Sequence, residues 1–387
     1  MQAFPQTPPL SSSSKKYYIG LMSGTSLDGA DGVLACFQDV SSVQVLAYAH
    51  LPMPVALQKK LLALNEPGMD ELNISALAAN ELVLTLYAPI VKELLVQSGL
   101  QAQHIHAIGA HGQTVRHHPH VTPASSYTIQ INAPALLAEL SEINVVADFR
   151  SRDIAAGGQG APLVPAFHAY MFGREDTTIG VLNLGGISNL TILKPHEDIL
   201  GFDCGPANVL LDAWCRLHCQ QAFDDNGQWA ASGKPIPALL EKMLKEPYFA
   251  LLPPKSTGRD LFHIRWLNTM LDGFEKLPAQ DVQNTLLELT TISCAQSAKL
   301  HAPEMSALIV CGGGALNTYM MQRLQHHLPT LEVSSSEIYG LPPLQVEATA
   351  FAWLARQCML GQTGNIETVT GAKGKRILGA IYCNPHD

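Results

Sequence analysis

The residues best suited to chemistry form a short polar turn near the start of the chain. Apolar runs at residues 17–22 and 32–37 flank this turn and predict a strand on either side of it. Gly24 and Gly29 allow positive φ angles and close approach of the backbone to a ligand. Backbone amides exposed in such a turn suit a phosphate group. An ordinary hairpin with turn-forming residues is the alternative interpretation.

Side chains in the same turn extend its predicted chemistry. Thr25 and Ser26 add hydroxyl donors beside the turn amides. Asp28 and Asp31 need another explanation, because a carboxylate beside a polyphosphate is repelled unless a cation or a sugar hydroxyl lies between them. These two aspartates therefore indicate Mg²⁺ or substrate hydroxyls near the phosphates.

Two more glycine turns follow apolar runs later in the chain. Gly185 and Gly186 separate the runs at residues 178–184 and 188–193, which repeats the strand, turn and strand of the opening segment. A predicted strand at 307–310 then runs into three consecutive glycines, Gly312, Gly313 and Gly314. A duplicated nucleotide-binding fold would place one phosphate clamp in each half, and the triple glycine would let the backbone approach a phosphate or a flat ring.

Asp203 is the candidate general base. It follows a predicted strand at 199–202 and precedes a turn and a predicted helix at 208–219. A carboxylate at the end of that strand, at the edge of a cleft between two domains, could take a proton from a nucleophile opposite the phosphates. The alternative is a structural helix N-cap, because Asp commonly accepts backbone amide hydrogen bonds there.

Polar residues between these turns could hold a sugar. Gln113 lies in the segment 111–114, whose neutral hydrogen-bonding groups suit hydroxyls and amides. A charged cluster follows: Asp148, Arg150, Arg152 and Asp153. An arginine of this cluster could hold a substrate carboxylate with two hydrogen bonds, or the cluster could be a structural ion network. Glu347 begins a predicted helix and could contact a sugar directly or favour the helix dipole.

The composition bounds the class of protein. With 387 residues and 47% hydrophobic content, the chain can bury a large core in two domains. Its net charge of −9 and pI near 5.9 argue against a nucleic-acid partner, so the ligand is expected to be small. Eight scattered cysteines predict reduced thiols in a cytoplasmic protein. No signal peptide, membrane-spanning run or protein-only metal site is predicted.

The predicted elements divide the chain into two α/β halves. Each half begins with a three-stranded antiparallel meander around a glycine turn, which weighs against a Rossmann start. Residues 1–16 are predicted to be a disordered tail, 17–150 a first domain, 151–360 a second domain and 361–387 a C-terminal segment that returns to the first domain.

Some local structures are also predicted. Residues 70–97 and 347–360 have helical spacing of apolar residues. Residues 151–165 are rich in Gly, Ala and Pro and are expected to form a loop at the domain junction. Residues 373–378 are expected to be a solvated basic tail.

Taken together, these motifs resemble the anhydro-N-acetylmuramic acid kinase family. The segments that carry the resemblance are 20–29, 111–114, 147–150 with Arg152 and Asp153, 201–206, 255–258 and 311–315. The match as a whole runs from about Tyr18 to Ala380, and motifs in that combination are highly specific.

The resemblance implies an actin-like, ribonuclease H-like two-domain fold with ATP and Mg²⁺ in a central cleft, usually in a homodimer. It implies a reaction that opens the anhydro bridge of 1,6-anhydro-N-acetylmuramic acid with water and phosphorylates the released 6-hydroxyl. Asp203 would be the catalytic base. The implied ATP-binding residues are Gly24, Thr25, Ser26, Leu27, Asp28, Gly29, Ala30, Asp31, Asn183, Gly185, Gly186, Gly205, Gly312, Gly313, Gly314 and Asn317. The implied sugar contacts are Ser26, Asp28, Gln113, Arg152, Asp153 and Glu347.

Two other functions fit the same residues. An ATP-gated binding or scaffold protein could share the fold, although the chain lacks a separate peptide-binding domain and the linker that would join one. A kinase of another hexose or amino sugar would use the same nucleotide site. The arginine cluster would distinguish the possible substrates, because a sugar that carries a carboxylate would bind to it and a neutral sugar would not.

Overall fold

The computed structural model describes residues 16–24, 26–39, 42–65, 68, 70–119, 125–258, 261–274 and 276–386. The predicted disordered tail and Thr25 lie outside the described residues, except that Lys16 already begins the first strand.

The strands form two sheets and a separate hairpin. Their bounds are β1 Lys16–Ser23, β2 Gly29–Asp39, β3 Ser42–Pro52, β4 Ile105–Ala110, β5 Gln113–His118, β6 Tyr127–Ile131, β7 Val145–Ala147, β8 Ile179–Leu184, β9 Ile187–Leu193, β10 Leu200–Pro206, β11 Ala307–Cys311, β12 Glu332–Ser335 and β13 Ala380–Tyr382. Strands β5 and β6 pair with each other as the hairpin.

Helices occupy most of the remaining described chain. Their bounds are α1 Val55–Ala63, α2 Glu71–Leu82, α3 Ala88–Ser98, α4 Pro134–Ser141, α5 Ser151–Ala155, α6 Val164–Phe172, α7 Asn208–Cys219, α8 Gln228–Ser232, α9 Pro237–Leu244, α10 Ile264–Leu271, α11 Ala279–His301, α12 Thr318–His327, α13 Val346–Met359 and α14 Glu367–Thr370. A π-helical turn, Val83–Tyr87, joins α2 to α3.

The first sheet has the strand order β13-β7-β4-β1-β2-β3. Strands β1, β2 and β3 form the predicted antiparallel meander. Strands β4 and β7 extend it on the other side of β1, and both run parallel to β1. Strand β13 pairs with β7, so the end of the described chain returns to the first sheet.

The second sheet repeats this arrangement in the order β10-β9-β8-β11-β12. A meander of β8, β9 and β10 is again extended on its first strand by two parallel strands. Two mixed sheets with the same order and flanking helices are the duplicated actin-like α/β fold. The predicted fold class is therefore confirmed, and the domain boundaries at residues 150 and 360 remain predictions.

A shared apolar core joins the two sheets through α6 and α13. Tyr18 and Val33 of the first sheet belong to the same buried cluster as Val181 and Ile309 of the second sheet, and Phe351 of α13 is part of it. Two other buried clusters lie one in each half of the chain. The cleft-facing ends of the sheets are thus held by a continuous interior.

Helix α13 lies directly on the first sheet because glycines leave room for it. A Cβ built on Gly20 would lie 1.8 Å from the Ala348 carbonyl oxygen, and one on Gly109 would lie 2.1 Å from that of Phe351. Any larger residue at these positions would push the helix away from β1 and β4.

Three local predictions are wrong. Ser151–Ala155 is a short helix rather than the start of a loop. Strand β10 continues to Pro206, so Asp203 lies within the strand and not at its end. The predicted solvated basic tail is anchored, because Leu378 is buried and the Lys373 amide donates to the Ala156 carbonyl.

The long helix predicted at 70–97 is present as Glu71–Ser98. Within the described residues it is the one helix whose length and apolar composition would allow it to cross a membrane, which the sequence analysis did not expect. Its inner side chains pack on the first sheet, where Leu82, Leu86 and Ile90 are buried in the core. Packing on the sheet accounts for its apolar composition.

Candidate active site

The predicted site segments follow the ends of parallel strands. Strands β1, β4 and β7 end at one edge of the first sheet, and strands β8 and β11 end at the corresponding edge of the second. Ligands of open α/β sheets bind outside these carboxyl ends. Glu347, at the start of α13, joins the two edges because its Oε1 accepts a hydrogen bond from Asn183 Nδ2 at 3.3 Å.

The first phosphate turn has a different backbone from the predicted one. Leu27, rather than Gly24 or Gly29, takes a left-handed conformation, with φ of 57°. The Leu27 amide donates to the Gly24 carbonyl at 3.2 Å, and Ser26 Oγ donates to Asp28 Oδ1 at 2.6 Å. Gly29 already belongs to β2, where a Cβ would lie 2.5 Å from the His50 ring. The described turn is therefore residues 24 and 26–28.

Asp31 is the third residue of β2 and is held by neighbours on β3. Its Oδ1 accepts hydrogen bonds from Tyr48 Oη at 2.6 Å and from His50 Nδ1 at 3.0 Å. Burial raises the pKa of Asp31, the two hydrogen bonds lower it, and the nearby Asp28 raises it further. The second oxygen of this carboxylate is left for a ligand. Ala30, also predicted at the nucleotide, is fully buried.

Gln113 connects the hairpin to the first turn. Its Nε2 donates to the Gly24 carbonyl at 3.1 Å. Its Oε1 is buried and has no hydrogen-bond partner in the part of the chain that the structure describes. Since buried polar atoms in proteins are nearly always paired, this oxygen is available to a ligand donor.

The π-helical turn contributes a buried tyrosine that stabilises the ends of β1 and β4 at this site. Tyr87, its last residue, is fully buried, and its hydroxyl lies 3.3 Å from Ser23 Oγ and accepts from the Gly112 amide at 3.1 Å. Single π-turns in α-helices frequently occur at functional sites. Here the wider turn aims Tyr87 at the ends of β1 and β4.

The buried His111 and the partly buried Arg150 form a pair behind Gln113. Arg150 donates from Nε and Nη2 to His111 Nε2 at 3.0 and 2.9 Å, and from Nη1 to the Gly160 carbonyl at 2.8 Å. Burial and the nearby guanidinium hold the pKa of His111 well below its usual range, so the ring is neutral. The Nδ1 hydrogen then donates to the Gly112 carbonyl at 2.7 Å. Arg150 is thereby fixed at the junction.

Glu347 lies among the charges of the first turn. Burial raises its pKa, Asp31 and Asp28 raise it further, and Arg150 lowers it. The same carboxylate is bonded to Asn183. Four predicted site residues therefore share one electrostatic environment: Asp28, Asp31, Asn183 and Glu347. A cluster of carboxylates beside one buried arginine suits hydroxyl donors of a sugar or the charge of a cation.

The triple-glycine turn requires its first glycine. Gly312 has φ of 79°, and a Cβ there would lie 2.3 Å from Asn183 Oδ1. Gly313–Leu316 form a 3₁₀ turn that leads to α12, whose N-cap is Asn317. Asn317 Oδ1 accepts from the Met320 amide at 2.9 Å, so this predicted nucleotide residue also has a structural role.

The glycines at the start of the second half are open. The nearest atom to a Cβ on Gly185 would be 3.7 Å away and the nearest to one on Gly186 would be 3.9 Å away. Asn208 Nδ2 donates to the carbonyls of Leu184 and Gly185 at 3.0 and 2.9 Å and stabilises this turn. Gly205 has φ of 147°, and its carbonyl accepts from Ser188 Oγ at 2.9 Å.

Asp203 is partly exposed, and one of its carboxylate oxygens is held by a hydrogen bond. Its Oδ2 accepts a hydrogen bond from the Thr257 amide at 2.9 Å, and its own amide donates to the Lys255 carbonyl at 3.2 Å. Loss of hydration raises the pKa of Asp203 to about 7, although the Thr257 hydrogen bond and the charge of Lys255 lower it. A carboxylate with such a pKa can act as a base near neutral pH.

A row of polar residues connects Asp203 to the rest of the site. Asp203 pairs with Asn189 of β9, and Asn189 pairs with Asn183 of β8. Paired residues project from the same face of a sheet, and neighbouring strands are about 4.8 Å apart, so Asp203 lies roughly 10 Å from Asn183. Sequence analysis missed Asn189, although its position directly after the second glycine turn could have indicated it.

The charged cluster near residue 150 is divided by the fold. Arg152 is exposed on α5. Asp153 is fully buried, with hydrogen bonds to Oδ1 from Asn365 at 2.7 Å and Thr370 at 2.8 Å and to Oδ2 from the Gly160 amide at 2.8 Å. Asp153 therefore ties α5 to the C-terminal segment, and its place differs from that of a predicted sugar contact.

Three buried polar atoms lie beside the candidate site without a hydrogen-bond partner among the described residues: Gln113 Oε1, Asn183 Oδ1 and Thr257 Oγ1. They fit a polar ligand with hydroxyl or amide groups. No group of three or more His, Cys, Asp or Glu side chains within the described ranges is arranged to hold a metal ion. Mg²⁺ would thus need ligand atoms from a bound nucleotide or water.

The comparison with known proteins agrees with this geometry. A family model for anhydro-N-acetylmuramic acid kinase matches residues 16–384. The chain belongs to the anhydro-N-acetylmuramic acid kinase family. The resemblance found in the sequence is confirmed, and the chain is an ATP-dependent sugar kinase.

Relatives in this family match almost the whole chain. An anhydro-N-acetylmuramic acid kinase from Albidiferax ferrireducens is 55% identical over 385 residues, which cover 94% of this chain and 98% of the relative. One from Cupriavidus metallidurans is 53% identical over 379 residues, which cover 97% and 99%. Among solved structures, a ROK family glucokinase from Streptomyces griseus in complex with glucose and AMPPNP has a TM-score of 0.40 and 13% identity, over 88% of this chain and 99% of its own.

Proposed function

We propose that this kinase opens the anhydro bridge of 1,6-anhydro-N-acetylmuramic acid with water and phosphorylates the released 6-hydroxyl. The product is N-acetylmuramic acid 6-phosphate, formed in the recycling of cell-wall peptidoglycan. The assignment of the site depends on the state of Asp203. Its carboxylate is held by the Thr257 amide, and its pKa is raised to about 7.

Asp203 acts as the base for the attacking water. One oxygen is bonded to the Thr257 amide, and the other takes the proton as the water oxygen bonds to the anomeric carbon. The bond from that carbon to the bridging oxygen breaks, and the electron pair remains on this oxygen, which becomes O6. In ordinary inverting hydrolysis a second carboxylic acid would protonate the leaving oxygen. Here O6 takes the γ-phosphoryl group of ATP instead and ADP leaves, so one carboxylate is enough.

Residues of both halves hold the nucleotide. Residues 24 and 26–28 of the first turn and the glycines at 185 and 186 contact its phosphates, and the glycines at 312–314 form the adenosine turn. Asn208 stabilises the turn at 185 and 186. Bound ATP supplies the γ-phosphoryl group, and Mg²⁺ offsets the phosphate charge when it is present. Asp28 and Asp31 lie where they can bind that cation through water, because Asp31 keeps one oxygen free of the Tyr48 and His50 hydrogen bonds.

The sugar lies against the first half. Gln113 offers its unpaired Oε1 to a sugar donor, and Glu347 accepts from a hydroxyl beside Asn183. Ser26 and Asp28 border the same space from the first turn. Arg152, exposed on α5, is placed to attract the lactyl carboxylate that distinguishes this sugar from neutral hexoses. Asp153 contributes indirectly, because it holds α5 in position.

The protein is proposed to work in the cytoplasm as a homodimer. All eight cysteines are free thiols, which suits a reducing compartment. Sedimentation equilibrium of the purified chain would test the dimer, and a monomer at micromolar concentration would contradict it.

An ADP-release assay tests the substrate. Purified protein with ATP and Mg²⁺ is mixed separately with anhydro-N-acetylmuramic acid, glucose, glucosamine and acetate. Turnover is expected with the anhydro sugar alone, because water, the bridged ring and the carboxylate are all needed. Faster release with glucose or glucosamine would favour a kinase of another sugar, and release that no sugar changes would favour the ATP-gated binding protein.

A further inference from the structure

The segment 255–258 is part of the sequence resemblance, and the function described so far uses only the Thr257 amide and the charge of Lys255. In the structure it lies beside β10 and is bonded to the base twice. The Asp203 amide donates to the Lys255 carbonyl at 3.2 Å, and the Thr257 amide donates to Asp203 Oδ2 at 2.9 Å. The Tyr248 hydroxyl also donates to the Asp203 carbonyl at 2.8 Å. The base is therefore positioned by a segment whose side chains remain to be explained.

The Thr257 side chain is unusual in this segment. Its Oγ1 is buried and has no hydrogen-bond partner among the residues that the structure describes. Neighbouring Ser256, by contrast, is exposed. Buried hydroxyl groups in proteins are nearly always bonded to protein, water or ligand. A hydroxyl kept unpaired beside a catalytic carboxylate is thus available to a reactant.

The upper limit on the distance from this hydroxyl to the base leaves room for one water molecule between them. Covalent geometry keeps Oγ1 within about 4 Å of the amide nitrogen of the same residue. That nitrogen is 2.9 Å from Asp203 Oδ2, so Oγ1 cannot be more than about 7 Å from this oxygen. The two groups form no direct hydrogen bond. A water bonded to both spans nearly 6 Å, because each O–H···O contact is about 2.8 Å long.

We propose that Thr257 positions the attacking water for Asp203, a role that rests on the function proposed above. The water donates one hydrogen to the Asp203 carboxylate and the other to Thr257 Oγ1. Its lone pair then faces the anomeric carbon. As the carbon–oxygen bond forms, the first hydrogen moves to Asp203 and the bridge oxygen leaves with its electron pair. Thr257 gains and loses no proton, so it is a positioning residue and not a second base.

The test compares Thr257→Val with Thr257→Ser. Valine has nearly the same shape and retains the backbone amide that bonds Asp203, so it removes the hydroxyl alone. We expect Thr257→Val to lower kcat by roughly 10- to 100-fold, as misplacement of a reactant does, with KM values for sugar and ATP within about twofold. Thr257→Ser should restore kcat to within a few-fold of the original. Ser256→Ala is the matched control and should change neither value.

Two further measurements separate positioning from structure. The pH at which kcat/KM falls to half on the acid side should stay the same in Thr257→Val, because the amide hydrogen bond to Asp203 is retained. The unfolding temperature should also stay the same. Unchanged kcat in Thr257→Val, a rise in sugar KM alone, or a loss that serine does not restore would each overturn the proposal.

Asp203→Asn distinguishes failure of this proposal from failure of the proposed function. An inactive Asp203→Asn together with a fully active Thr257→Val would leave Asp203 as the base and remove Thr257 from the mechanism. An active Asp203→Asn would remove the base itself, and with it the basis for any water held beside it.

Discussion

At the scale of single residues, environment turns common side chains into reactive ones. Asp203 is an ordinary aspartate on a strand. Loss of hydration raises its pKa by more than the Thr257 amide and the nearby Lys255 lower it. His111 is the opposite case, because burial beside Arg150 keeps its ring neutral and limits it to holding the arginine. Both effects come from burial, which favours the uncharged form of a group. Burial therefore raises the pKa of an aspartate and lowers that of a histidine.

The pKa of Asp203 predicts the pH profile. The base works when deprotonated, so kcat/KM should rise with pH and level off above a midpoint near 7. Initial rates between pH 5 and pH 9 would measure this midpoint. Asp203→Asn should lower kcat by at least ~10² at every pH while ATP still binds. A midpoint near the usual value for Asp, or a variant with normal turnover, would contradict the assignment.

Gly312 predicts a separate effect on the nucleotide. Gly312→Ala adds a Cβ 2.3 Å from Asn183 Oδ1 at a φ of 79°, so the turn must shift. We expect the KM for ATP to rise by about 10-fold or more, because displacement of a binding turn by about 1 Å has effects of that size. Gly68→Ala is the control, since a Cβ there meets no atom within 4 Å and the residue has no proposed role at the nucleotide. Equal effects of the two substitutions on the KM for ATP would contradict a requirement for glycine at position 312.

At the scale of elements, close packing of α13 on the first sheet places Glu347. The helix begins beside the end of β8, where Glu347 contacts Asn183, and its body lies on β1 and β4 at Gly20 and Gly109. Glu347 therefore reaches the site because two glycines in distant strands allow the helix to lie that near. The π-helical turn has a similar role for Tyr87, which holds Gly112.

Gly20→Ala tests this packing. Its Cβ would lie 1.8 Å from the Ala348 carbonyl oxygen and 2.6 Å from the Ala352 amide nitrogen, both of which are backbone atoms. We expect a loss of at least about 1–3 kcal/mol in the free energy of unfolding, which urea denaturation would measure. Gly68→Ala is the control, because a Cβ there meets no atom within 4 Å. Equal stability of the two variants would refute tight packing of α13 as the cause.

At the scale of the whole molecule, a repeated fold brings two binding edges together. The two sheets have the same strand order, and the core around α6 and α13 is continuous between them. In the proposed mechanism each half contributes different chemistry, because the first half supplies Gln113 and the acidic turn and the second supplies Asp203. The reactants thus meet only where both halves contribute.

This arrangement predicts closure on binding. A substrate that contacts both edges should draw them together, as in other two-domain enzymes. We expect the radius of gyration measured by solution X-ray scattering to fall when the anhydro sugar and a non-hydrolysable ATP analogue are added together. Glucose with the same analogue is the control. A radius that neither addition changes would count against closure.

The sequence by itself determined the local features. Glycine turns, strand meanders, the long helix and Asp203 as a candidate base could be predicted because each depends on spacing between near neighbours. Matching motifs over most of the chain also indicated the family. The turns, meanders and long helix are present in the structure with small changes at their ends, and the role of Asp203 stays a prediction.

Tertiary structure decided which of those residues meet and in what state. It placed Asp153 in the interior, made Leu27 the left-handed residue of the first turn, and left Thr257 Oγ1 unpaired beside Asp203. It also aligned Asn189 between Asp203 and Asn183 across three strands. The physical reason is that burial, strand register and charge environment depend on contacts between residues far apart in the chain, which local spacing does not encode.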